Sequence, residues 1–150
     1  MNEIEIRAAR ADEVDAVVPM YEWLFAPPGS TPPAWDPELA RARLAETIQG
    51  PGSTLLVADS GGELVGFISA YLDMTSVRFG PRCWVEDLAV DPTLRSRRIG
   101  KRLLESAMAW ARERGASHLE LDTALARSDA QRFYEREAPS GKSYSYGWEL

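Results

Sequence analysis

The sequence is short of several things that would each mark a class of protein. In 150 residues it has one cysteine, Cys83, and one histidine, His118. A lone cysteine excludes an intrachain disulfide, and a reducing compartment, the cytoplasm, is the simplest setting. Nothing beside Cys83 suggests activation, so it reads as a small buried hydrophobe. His118 has no second His or Cys near it, so a structural role is expected and no metal site. No apolar run is long enough to span a membrane. The opening MNEIEIRAARADEV is charged from its third residue and holds no apolar h-region, so no signal peptide is expected. Net positive charge is missing as well. Seventeen Lys and Arg against 23 Asp and Glu leave a formal charge of -6, which argues against general nucleic-acid binding through many phosphate contacts. Neither GxxxxGK(S/T) nor GxGxxG occurs, which excludes the standard P-loop and dinucleotide fingerprints. Repeats and low-complexity segments are absent.

What is present is ordinary globular composition, 45% hydrophobic with five Trp, five Tyr and four Phe. The length suits one domain, residues 1–150, around one core. Short alternations interleave with helical patterns, which predicts a mixed α/β fold. Ile4, Ile6 and Ala8 alternate with charges as a first strand. Asp12 is placed to cap the next helix, with Asp15 in its first turn. That helix carries Val14, Val17, Val18 and Tyr21, and Pro19 should kink or end it. LFAPPGSTPPAWDPE holds Pro27, Pro28, Pro32, Pro33 and Pro37 and reads as a stiff loop. A helix from Pro37 to Gln49 starts on Asp36 as N-cap. STLLVAD and ELVGFISAYL form a hairpin through Ser60-Gly61-Gly62. DMTSVRFGPR reads as a loop, and CWVEDLAV as a strand buried on both faces. Ile99, Leu103, Leu104, Ala107, Met108 and Ala111 make one apolar helical stripe, with Gly115 able to cap its end. SHLELD is a short strand. Ser128-Asp129-Ala130-Gln131 reads as a capping box opening a helix through Phe133 and Tyr134. The alternation of Tyr144, Tyr146, Trp148 and Leu150 in KSYSYGWEL reads as a last strand.

One stretch runs against the acidic balance. In AVDPTLRSRRIGKRLL, five of the eight residues from Arg95 to Arg102 are basic. The stretch follows a buried strand and opens a helix, so it presents unpaired backbone N–H groups and the positive end of a helix dipole. That arrangement suits a phosphate or pyrophosphate, with Arg95 and Arg97 adding charge-assisted bonds. A solvated charge run is the bland alternative.

VEDLAVDPTLRSRRIGKRLL resembles the acyl-CoA-binding motif of the GNAT N-acetyltransferase superfamily, a strand followed by Q/R-x-x-G-x-G/A and a helix. Arg95, Ile99 and Gly100 match the first, fifth and last positions of that turn, whereas Arg98 stands where the family usually has glycine. IRAARADEVDAV resembles the family's opening strand and helix. SDAQRFYERE resembles its late pattern A-x-x-F-Y-x-x-x-G-F through Ala130, Phe133 and Tyr134, but Arg127 replaces the usual Asn, and Ala138-Pro139 replaces Gly-Phe. The resemblance covers most of the chain in order.

The resemblance implies a GNAT fold: a twisted mixed sheet of six to seven strands flanked by about four helices. The strand at Val85–Val90 would splay from the parallel strand at 118–122. Acetyl-CoA would lie in the gap as cosubstrate, its pantetheine arm pairing with the backbone of Leu88, Ala89 and Val90. Its diphosphate would rest on Arg95, Ser96, Arg97, Arg98, Ile99, Gly100 and Lys101, with Ser128 also at the cofactor site. The implied reaction is direct attack of a primary amine on the thioester, through a tetrahedral intermediate. Tyr134 would protonate the leaving thiolate, and a backbone N–H near Leu88 would serve the oxyanion. Glu86 and Asp87 lie on the central strand; strict alternation puts them on opposite faces, and Glu86 is favoured as base. Trp23, Phe25 and Trp35 flank the loop that would roof the acceptor. An acidic protein suits a cationic small-molecule acceptor, with a peptide amine as the other choice. A CoA-holding or partner-docking module without turnover is the rival reading, and a homodimer is open.

Overall fold

The computed structural model describes residues 3–150, and of Ser96 the backbone alone. Among the described residues five strands form one sheet: β1 Ile4–Ala8, β2 Ser53–Ser60, β3 Glu63–Ser76, β4 Gly80–Val90 and β5 His118–Glu120. They lie in sequence order, antiparallel except for the parallel β4–β5 pair. The fold is the mixed α/β one expected, with five strands in place of six or seven. The missing strand is the terminal KSYSYGWEL, where Tyr144, Tyr146, Trp148 and Leu150 are all exposed. Alternation makes a strand only where a ladder and a buried face exist to receive it. The neighbouring edge, β5, is three residues long.

The loop expected at DMTSVRFGPR is instead the far end of the β3–β4 hairpin, paired out to Ser76↔Gly80. Charge and turn chemistry extend it. Arg82 Nε donates to Asp73 Oδ1 at 3.0 Å across the strands. Ser76 Oγ accepts the N–H groups of Arg78 and Phe79 at 3.2 Å, and Gly80 takes φ 80°.

The first helical stretch is broken at Pro19, as expected from its missing N–H. α1 is Val14–Val17, a 3₁₀ turn covers Val18–Tyr21, and α2 is Glu22–Phe25. Its start is secured by Glu13, whose Oε1 accepts the Arg10 N–H at 2.7 Å, and not by Asp12. α3, Pro37–Gln49, begins where the sequence placed it, with Asp36 Oδ1 accepting the Glu38 N–H at 2.9 Å. α4 is Ile99–Glu113 and α5 is Ser128–Arg136.

The sheet is covered on both faces, which is why its middle strands read as unbroken apolar runs. Ile99, Leu103, Leu104, Ala107 and Ala111 of α4 pack on Leu56, Ile68, Ala70 and Val85. On the other face Val14, Val17, Met20 and Leu44 pack on Leu55, Val57, Phe67 and Ala89. Each large side chain buried this way contributes about 1.5–3 kcal/mol. No helix among the described residues is long and apolar enough to cross a membrane.

Candidate active site

The two parallel strands separate early. β5 pairs with β4 only at Arg82↔His118, Cys83↔Leu119 and Trp84↔Glu120, while β4 continues to Val90. Along Val85–Val90 the edge of β4 that would face β5 has no ladder partner among the described residues. A main-chain edge left open beside a packed sheet can receive an extended ligand by backbone hydrogen bonding. Leu88 and Val90 pack toward α4 and Ala89 toward the opposite face.

The ladder between β3 and β4 is irregular at the point where β4 carries its carboxylates. Ile68 pairs with Leu88 and Ala70 with Val85, so Glu86 and Asp87 together oppose Ser69. This is a β-bulge, and it re-aims side chains. Val85 and Leu88 both face α4. Asp87 turns to the other face, where its Oδ2 accepts the Tyr21 hydroxyl at 2.7 Å. Ser69 Oγ accepts the Asp87 N–H at 3.1 Å and satisfies the bulged backbone. Glu86 Oε2 accepts Trp84 Nε1–H at 3.0 Å. The alternation expected from the sequence is therefore corrected: Glu86 and Asp87 lie on one face, close enough to influence each other. Burial raises the Asp87 carboxyl above the usual range, the Tyr21 hydrogen bond opposes this, and the charge of Glu86 adds to it. Burial first, then Asp87, raises the Tyr21 hydroxyl.

Tyr21, which in the sequence reads only as part of a helical apolar face, joins this cluster. It stands among aromatics, 5.3 Å from Trp35 and 5.0 Å from Phe67 by ring centroid. Phe25 meets Trp35 edge-on at 4.8 Å. Trp23 packs into the core on this face. Aromatic walls around carboxylates suit a cation with an apolar body. Farther along β4, Arg82 bonds Glu120 at 2.9 Å, Glu120 meets His118 Nε2 at 2.8 Å, and His118 stacks on Phe79 at 4.7 Å. His118 belongs to this cross-strand network.

Tyr134 of α5 lies half-buried against the core beneath α4, its ring 5.1 Å from that of Phe133. Its hydroxyl makes no hydrogen bond among the described residues. Burial pushes it up to about 12, with Arg127 opposing and Asp122 reinforcing the shift. It therefore stays protonated across neutral pH. Tyr134 packs with the cluster on the α4 face, while Asp87 reaches Tyr21 on the opposite face of β4.

The basic stretch folds as a 3₁₀ turn over Pro92–Arg97, started by Asp91 Oδ1, which accepts the Thr93 N–H at 2.9 Å and hydroxyl at 2.8 Å. Arg98 follows in the left-handed region, φ 60° and ψ 21°. The first helical bond of α4 runs from Arg102 N–H to Arg98 O at 3.1 Å. The N–H groups of Ile99, Gly100 and Lys101 come before it and have no acceptor within the helix. Arg95, Arg97 and Arg98 are exposed around them, and the Ser96 side chain lies outside the described residues. Lys101 turns aside, 3.3 Å from Glu137 and 3.6 Å from Glu105. Gly100 lies under Phe133, where an added Cβ would make ordinary contact at 3.5 Å. Ser128 is exposed at the first position of α5. The capping box expected there does not form: Arg127 is the N-cap, without a side-chain cap bond. Gln131 Nε2 instead donates to the carbonyls of Ala124 at 3.1 Å and Leu125 at 2.9 Å.

Comparison with known proteins gives a consistent result. Residues 17–138 match the model of the acetyltransferase (GNAT) family. The aminoalkylphosphonate N-acetyltransferase of Salmonella typhimurium is 31% identical over 133 residues, 89% of this chain and 82% of that protein. An uncharacterised N-acetyltransferase of Bacillus subtilis is 30% identical over 135 residues, 89% of this chain and 87% of that one. Among solved structures, the aminoglycoside N-acetyltransferase AAC(6')-Iy in complex with CoA superposes with a TM-score of 0.84 at 17% identity, covering 100% of this chain and 96% of that one.

Proposed function

The chain belongs to the GNAT acetyltransferase family, and on that premise we propose that it moves the acetyl group of acetyl-CoA to a primary amine of a small cationic molecule. The observation that carries the proposal is the parting of β4 and β5 after Trp84, at the end of which the amide cradle of α4 opens. Leu88, Ala89 and Val90 offer the extended edge for the pantetheine arm. The N–H groups of Ile99, Gly100 and Lys101 hold the diphosphate, with Arg95, Arg97 and Arg98 supplying positive charge and Ser96 and Ser128 at the margin.

An amine arriving as ammonium, with a pKa of about 10.4, must lose a proton before it attacks. Glu86, exposed and beside Asp87, is the base, passing that proton to water. Asp87 keeps the site negative, and Tyr21, Phe25 and Trp35 wall it. The amine nitrogen bonds to the thioester carbonyl carbon, a backbone N–H near Leu88 steadies the oxyanion, and the C–S bond breaks. The attached nitrogen gives up its second proton through Glu86 to water, while the leaving thiolate takes its proton from the Tyr134 hydroxyl, which water then restores. Small-molecule amines are favoured by the bulged carboxylate pair and by the likeness to the aminoalkylphosphonate N-acetyltransferase of Salmonella.

The test is release of free thiol from acetyl-CoA with a panel of amines: an aminoalkylphosphonate, an amino sugar, a polyamine and a peptide N-terminus. Turnover with at least one small amine, and little with the peptide, is expected. Acetyl-CoA binding without thiol release for any amine would leave only a CoA-holding module.

A further inference from the structure

Arg127 joins two parts of the molecule that the chain itself does not connect. Its Nη2 donates to the carbonyl of Leu24, 103 residues earlier. Leu24 lies in the last turn of α2, where helical carbonyls lack intrahelical donors. The chain then folds tightly, Ala26 N–H bonding Glu22 O at 3.0 Å and Gly29 N–H bonding Ala26 O at 2.8 Å. At Gly29 there is no room for a side chain, since a Cβ would collide with both the Leu24 carbonyl and the Arg127 guanidinium. The arginine is packed into this turn.

The other end of the connection is fixed without the guanidinium. Arg127 N–H bonds Ala124 O at 3.0 Å, and its carbonyl accepts the Gln131 N–H at 3.1 Å. The Gln131 side chain adds bonds to Ala124 and Leu125. The anchor is thus the rigid start of α5, the helix of Tyr134. The anchored turn follows Phe25, leads to Trp35, and adjoins Tyr21, the partner of Asp87. Arginine suits the task because its fork of donors keeps its charge while bonding a carbonyl.

We propose that Arg127 is a positioning residue. It latches the Leu24–Gly29 turn to the start of α5 and so holds the acceptor-side aromatics in register with Tyr134. Its kinetic consequence rests on the acetyltransferase reading; the latch itself does not.

The experiment compares the parent with Arg127→Met, which keeps an apolar stem without a donor, and Arg127→Lys, which keeps one. Hydrogen exchange is read at the amides of Ala26 and Gly29, alongside KM for the amine and for acetyl-CoA. In Arg127→Met, exchange and amine KM should rise about tenfold, the scale of one charge-assisted hydrogen bond, while acetyl-CoA KM holds within about twofold. Arg127→Lys should fall between. Unchanged exchange in Arg127→Met overturns the latch. A joint rise of both KM values with a lowered melting temperature, unrelieved in Arg127→Lys, overturns the positioning role. Should the parent release no thiol with any amine, the acetyltransferase reading fails, and the exchange result still decides the latch.

Discussion

Arg98 holds φ 60°, and Ala138, just past α5, holds φ 55°; they are the non-glycine residues with positive φ among those described. An L-residue pays roughly 1–2 kcal/mol for that region, whereas glycine visits it freely. Both stand where the motifs resembled by the sequence carry glycine. The departures were legible in the sequence, and the backbone now gives their cost. Arg98→Gly and Ala138→Gly should each raise stability in thermal melts by about 1 kcal/mol, whereas Arg98→Ala should give no such gain. Asp87 behaves differently. Its carboxyl is raised in the folded state, so the folded protein holds that proton more tightly than the unfolded chain. Stability from this group is present at low pH and lost as pH rises through its folded pKa. Asp87→Asn, which can still accept from Tyr21, should melt higher than the parent at pH 8. That gap should close as pH falls. The sequence showed Glu86 and Asp87 as candidates but not their shared face, because a bulge depends on the register of the partner strand.

At the scale of elements, the join between β1, β2 and the first helical stretch rests on one guanidinium. Arg7 grips Glu13 with both terminal nitrogens, at 2.8 and 2.7 Å, and reaches Asp59 at 3.0 Å. The Arg7 hydrogen bond, opposed by burial and aided by the Arg10 N–H, holds the Glu13 carboxyl down at about 2. A depressed carboxylate stabilises above its unfolded pKa and stops doing so as pH falls through its folded value. Glu13→Gln should therefore cost about 1.5–3 kcal/mol at pH 7, and less as pH drops from about 4.5 toward 2. Denaturant titrations at pH 7 and pH 3 check this. Elements with their own punctuation were legible: Asp36-Pro37 opened α3, Pro19 broke the first helix, and the α4 stripe fell where its period put it. The β3–β4 hairpin was missed beyond Leu72 because the Asp73–Arg82 pair that extends it looks, in sequence, like loop polarity. The terminal segment alternates without forming a strand because alternation records a pattern and not a partner.

The whole molecule sets a cluster of positive charge against an acidic background. The net charge is -6, yet Arg95, Arg97 and Arg98 surround the free amides of α4, while Glu86 and Asp87 occupy the far face of β4. In the proposed reaction an anionic cosubstrate and a cationic acceptor would be drawn to different sides of the same strand. The parting of β4 and β5 would let the two sides meet. This arrangement was only half legible, since the splay follows from β5 being three residues long, which no local pattern reveals. Cys83 is buried with its thiol pushed up to about 11, so free thiol from acetyl-CoA can be read without interference from the protein. The most direct measurement is therefore thiol release by the parent and by Tyr134→Phe from pH 7 to 10, at saturating amine. The parent rate should climb as the amine loses its proton, with no decline from Tyr134, whose hydroxyl stays protonated up to about 12. Tyr134→Phe should be slower by roughly 10²-fold or more at every pH, with acetyl-CoA KM little changed. A Tyr134→Phe variant that keeps the parent rate across that range would contradict transfer of the acetyl group at this site.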